Sequence, residues 1–195
     1  MEYKEQILFK LINKTRNYKV LEIDKSTSNK INVEYDVMVY SGISIDKHIL
    51  KLKPDIFKID ISKSEYLKKS VINVCKENGI FIELVILDKI NSDEVKINWL
   101  KALRKIVKFG GLSNLLITFE SSLNNYKTQN DIIDVLKDFK VKNITKLFAN
   151  YFKCYRKIAL KRFGYRNCLV AFNLFKKDVI SPLKEDFILN FNKLL

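Results

Sequence analysis

The chain has 195 residues, of which 47% are hydrophobic and 12% aromatic, enough for one packed domain and too apolar for a disordered chain. Its 36 Lys+Arg against 22 Asp+Glu give a formal net charge of +14, and such an excess attracts polyanions because each neutralised phosphate releases counterions. Cys75, Cys154 and Cys168 are widely spaced without a CxxC pair, which argues against a disulfide framework or zinc knuckle, and no stretch reaches the roughly 18 apolar residues of a membrane span, so the expectation is an intracellular protein away from the membrane.

In chain order, Lys4–Thr15 reads as an amphipathic helix with Ile7, Leu8, Leu11 and Ile12 on one side. Lys19–Ile23 and Val33–Tyr40 read as strands, followed by a short helix near Ile45–Leu52 that Pro54 ends. Asp55–Ile61 is the next strand. Ser64–Asn78 is predicted as a helix, with Ser64 as N-cap and Gly79 as its left-handed stop. Ile80–Leu87 is nearly all apolar, as a parallel strand covered on both faces requires. Val95–Phe109 is a helix closed by Gly110-Gly111, Asn114–Glu120 a strand, and Gln129–Phe139 a helix. Asn143–Phe163 is one long helix, Cys168–Leu174 a last strand, and a tail begins at about residue 181.

This alternation predicts βα units on a parallel sheet. The number of units favours a TIM-barrel-like repeat, complete or incomplete, in a single domain over 1–195. None of the five glycines makes a GxGxxG after a strand, so a dinucleotide site is unsupported.

The long helix carries the charge that matters. On a wheel of about 100° per residue, Ile144, Leu147, Phe148, Tyr151, Tyr155 and Ile158 fall on one face. Lys146, Lys153, Lys157 and Lys161 fall opposite, with Arg156 beside them and Arg162 and Arg166 at the exit. Between Lys137 and Arg166 the only acid is Asp138. A charged face is ordinarily just solvated, but exposed helices usually mix signs, since i, i+4 Glu–Lys pairs stabilise by about 0.2–0.5 kcal/mol. A row of like charges points to a polyanion, and lysines without exposed aromatics point to phosphate contact rather than base reading.

Catalytic chemistry is thinner. The sole histidine, His48, cannot supply a multi-histidine metal centre and reads as a packing or surface residue. Cys75, among Val71, Ile72 and Val74, reads as a small core residue. Asp60, Glu83, Asp88 and Glu120 lie in or just after strands, where barrel active sites gather, and could bind one Mg²⁺. The plainer reading pairs Glu83 with a buried lysine such as Lys58 and leaves the others capping loops.

Several segments then fall into a known order. Tyr35-Asp36-Val37-Met38-Val39 resembles a YDVVAV-like strand, and Val71–Val85 (VINVCKENGIFIELV) a helix end, glycine and strand in fixed spacing. Ile117–Ser122 resembles an IISS-type strand end, Lys127 and Asp131 match an Arg and an Asp of an RGPYDV-like segment, and the long helix with Arg166 closes the series. Collinear from about Tyr35 to Arg166, they resemble the thirty-kilodalton TIM-barrel-like protein subunit of ribonuclease P and ribonuclease MRP. The chain departs from that family in lacking an extra opening strand and in carrying Thr128-Gln129-Asn130 for the Pro and Gly of RGPYD.

The resemblance implies a non-catalytic, RNA-binding subunit of a nuclear, nucleolar ribonucleoprotein. In that family the RNA component, with its own Mg²⁺, matures the 5′ ends of precursor tRNA, and a small α/β protein is the partner. No cofactor is expected on the chain itself. Its candidate RNA contacts are Lys127, Lys146, Lys153, Arg156, Lys157, Lys161, Arg162 and Arg166. Two alternatives stand beside this: a stand-alone metal-dependent βα-barrel hydrolase using the strand-end carboxylates, and a scaffold whose basic helix meets an acidic protein.

Overall fold

The computed structural model describes residues 20–27, 35–86, 92–119, 129–142, 144–165 and 168–169. The expected opening helix Lys4–Thr15 and the tail from about residue 181 lie outside them. Five strands form one parallel sheet: β1 Val20–Ile23, β2 Val37–Gly42, β3 Ile56–Ile59, β4 Phe81–Ile86 and β5 Leu115–Phe119, in the order β1-β2-β3-β4-β5. Helices α1 Lys47–Leu52, α2 Lys69–Glu77 and α3 Asp93–Lys108 connect β2 to β5, and α4 Gln129–Asp138 and α5 Ile144–Phe163 follow. The fold is therefore α/β, with each strand pairing with the next in sequence. Right-handed crossovers in one direction place α1, α2 and α3 on the same side of the sheet. The strand expected over Cys168–Leu174 is described only at β7 Cys168–Leu169, which pairs antiparallel with β6 Gly164–Tyr165.

The two faces of the sheet differ in chemistry. Register pairs Tyr40 with Phe57, Phe57 with Ile82 and Ile82 with Leu115, so one face is apolar along its length. The other face carries Val39, Ile56 and Phe81 low down, Ser41, Lys58, Glu83 and Leu116 above them, and Val85 and Thr118 above those. Burying both faces of a parallel sheet requires cover on both, and the described residues share one core. From the helices it takes Ile72 and Cys75 of α2 and Trp99, Leu103 and Ile106 of α3. No helix of the described residues is long and apolar enough to cross a membrane.

Turn chemistry fixes the element ends, and it corrects one boundary. Asp46 caps α1, its carboxylate accepting the Ile49 N–H at 2.9 Å. The helix expected from Ser64 starts later, at Lys69, because Asp60 caps a separate 3-10 segment, Ile61–Tyr66, by accepting from the Ser62 N–H and hydroxyl. Ser64 is buried, and its carbonyl accepts the Leu67 N–H that closes this turn. Gly79 (φ 62°) and Gly110 (φ 72°) take the left-handed positions expected of them. Lys53 and Lys140 take the same conformation at φ 53° with a side chain attached, which costs about 1 kcal/mol each.

Candidate nucleic-acid interface

The helix expected to carry RNA, α5, buries a seam of Leu147, Asn150, Tyr151, Cys154 and Ile158. Tyr151 is 1% exposed, and its hydroxyl accepts the Ile117 N–H at 2.8 Å and donates to the Ile117 carbonyl. With β4 paired on one side of β5, these groups belong to the strand's free edge, so α5 closes the edge that a sixth strand would otherwise occupy. Asn150 Nδ2 donates to the carbonyls of Leu112 and Leu115 at 2.8 and 3.0 Å, at the foot of β5. Lys157 donates to the carbonyls of Asn78 (3.2 Å) and Gly79, just before β4. Lys161 reaches Asp55 Oδ1 and the Lys53 carbonyl, each at 2.6 Å, just before β3. In sequence α5 thus crosses the feet of β5, β4 and β3.

This geometry gives two lysines of the expected row partners within the chain. Lys157 and Lys161 turn in toward the sheet, and Asp55, more than a hundred residues earlier and 3% exposed at its side chain, neutralises Lys161. Asp55 is itself built in: its other oxygen accepts the Met38 N–H at 2.9 Å, and its backbone bonds Met38 and Phe81. Burial lowers the Lys157 pKa against the pull of Asp55. These partners were not legible on the wheel, which gave no weight to Asn150 and Cys154. Both are buried, and they rotate the contact line toward the lysines. Lys153, Arg156, Lys157 and Lys161 all remain exposed, the last two with their ammonium groups engaged by the protein. Lys146 and Arg162 lie on α5, while Lys127 and Arg166 lie outside the described residues. The anchoring roles of Tyr151 and Asn150 were legible only as a hydroxyl and an amide on an otherwise apolar stripe.

At the opposite end of the strands a cleft of about 770 Å³ opens, lined by Tyr40, Ser41, Lys58, Asp24, Asp60 and Lys63 among others. Its carboxylates are engaged by the protein. Asp24 accepts from the Ser26 and Thr27 hydroxyls and N–H groups, which hold its pKa at about 2, led by the Ser26 hydroxyl. Burial raises the Asp60 carboxyl, but the Ser62 hydroxyl and Lys63, 3.3 Å away, outweigh it and bring it below the ordinary value. Glu83 is buried in the sheet and accepts the Thr118 hydroxyl at 2.9 Å. Burial raises its pKa, Thr118 and Lys58 oppose this, and Glu22 adds to it. Lys58, opposite Glu83 in register, stands 3.7 Å from Glu22. Among the described residues no group of three or more His, Cys, Asp or Glu is placed to hold a metal ion. Asp88 and Glu120 lie outside them.

His48 is exposed on α1. Cys75 is a fully buried core thiol whose pKa burial pushes up to about 12. No protein-family model matches the chain, and no curated protein does.

Proposed function

We propose that this chain is a non-catalytic protein subunit of a ribonuclease P-type ribonucleoprotein, possessing an incomplete TIM-barrel-like fold and holding the catalytic RNA. The collinear series from Tyr35 to Arg166 carries the reading. Three features of the molecule support it. Strand order β1 to β5 is compatible with a βα barrel, and α5 covers the edge of β5 that β4 leaves free. Among the described residues, the strand-top carboxylates Asp24, Asp60 and Glu83 are engaged by serine and threonine hydroxyls. Lys153 and Arg156 present cation to solvent beside α5's anchors. On this reading the RNA and its Mg²⁺ perform the cleavage, and a small α/β protein is the partner.

The test is crosslinking in the native cell, followed by sequencing of the bound RNA. The expected result is one structured RNA of the ribonuclease P or MRP type, with 5′-extended precursor tRNA accumulating when the chain is depleted. A chain recovered without RNA, and depletion that leaves tRNA ends intact, would overturn the reading. The strand-top cleft favours a second reading, a hydrolase acting alone at Asp24, Asp60 and Lys58. It is expected to lose turnover in Asp60→Asn while the crosslinked RNA of the first reading is absent.

A further inference from the structure

The sheet's polarity gathers the helix ends. In each βα unit the helix runs back against its strand, so α1, α2 and α3 all finish at the strand feet, the end that α5 crosses. There the exposed side chains are overwhelmingly cationic. Lys51 and Lys53 end α1, Lys76 ends α2 and Lys108 ends α3. Lys140 and Lys142 lie in the turn that leads into α5, and Lys153 and Arg156 continue along it. The exposed acids in these same segments are Glu77 and Asp138. The opposite end is mixed, with Asp24, Asp46, Asp93 and Glu94 among Lys25, Lys47, Lys69 and Lys96.

A cation in the last turn of a helix is favoured by the helix dipole, which accounts for Lys51, Lys76 and Lys108 without any partner. It does not account for Lys53 and Lys140. Both occupy left-handed backbone positions where glycine is the unstrained residue, and the same end of the molecule uses Gly79 and Gly110 in that conformation. A strained, exposed lysine at such a position points to a use for its ammonium outside folding.

We propose that the strand-foot face as a whole, centred on Lys53, Lys76, Lys108, Lys140 and Lys142 with Lys153 and Arg156 at its rim, is a docking surface for the phosphate backbone of a structured RNA. This rests on the RNA-subunit reading and moves its contact surface from one helix to one end of the sheet. The face fits a polyphosphate better than a protein, whose interface cores are depleted in charge. It fits better than a membrane too: of the exposed large hydrophobics among the described residues only Val20, the first residue of β1, lies at this end, while Tyr66 and Ile97 do not.

The test uses the full chain, with transfer RNA as probe, titrated over a series of KCl concentrations. Lys53→Gly/Lys140→Gly is expected to raise the urea midpoint while weakening tRNA binding on the order of tenfold at low salt and flattening the log–log salt slope by about two. Lys47→Ser/Lys69→Ser, at the other end, is expected to leave both affinity and slope unchanged. Unaltered binding in the first variant, or equal loss in the second, overturns the proposal. So does binding of polyglutamate or phosphatidylserine vesicles that matches tRNA. If the foot variant loses tRNA while native crosslinking yields no ribonuclease P or MRP RNA, the surface stands and the subunit reading falls.

Discussion

Glu83 is held by one hydroxyl, from Thr118, and is the single polar residue of β4. Because burial raises its folded pKa above the ordinary value of 4.5, the native chain binds more protons than the unfolded one just above that value. Its contribution is therefore greatest below pH 4.5 and is lost as pH rises through the folded value. Glu83→Gln keeps an acceptor for Thr118 and removes the charge. It is expected to raise the urea midpoint at neutral pH and to flatten the pH profile on the alkaline side of the ordinary value. A midpoint lowered at neutral pH but unchanged below pH 4.5 would show that Lys58, not burial, governs the site. This residue was legible as a lone acid in IFIELVIL with Lys58 as candidate partner. Thr118 was not legible as the group that touches it, because that contact depends on the β4–β5 register, Val85 standing opposite Thr118.

At the scale of elements, α5 is the informative one. Its length and its start after Asn143 were legible from the spacing of apolar residues and the Gly164 stop, and so were most strands. Its rotation was not, since Lys157 and Lys161 meet carbonyls and a carboxylate supplied by loops remote in sequence. Two substitutions separate anchoring from surface. Tyr151→Phe strands the N–H and carbonyl of Ile117 at the sheet edge, and a loss of about 1–3 kcal/mol in urea unfolding is expected. Lys153→Glu touches only solvent, and it should change stability by less than about 0.5 kcal/mol. Comparable losses in both would mean that α5 packs by its charged flank. The late start of α2 has a similar origin: Ser64 looked like a cap, but Asp60, four residues earlier, captured the turn.

For the molecule as a whole, one core joins the sheet, α2, α3 and α5, so the buried thiols of Cys75 on α2 and Cys154 on α5 are both sealed by the same packing. In a Cys168→Ser chain, neither is expected to react with a thiol reagent at neutral pH until the fold opens, and both should then react at one common rate. Separate rates would divide α5 from the rest of the core. The parallel α/β class was readable from alternation alone, whereas the way the sheet ends depended on what α5 contacts. That ending has a consequence for synthesis. The ribosome releases β5 before α5, and until Tyr151 emerges the last strand of the nascent chain presents an unpaired edge. Translation that stalls between these two elements leaves a fragment prone to recruit neighbouring strands, and holdase chaperones would bind it in that interval.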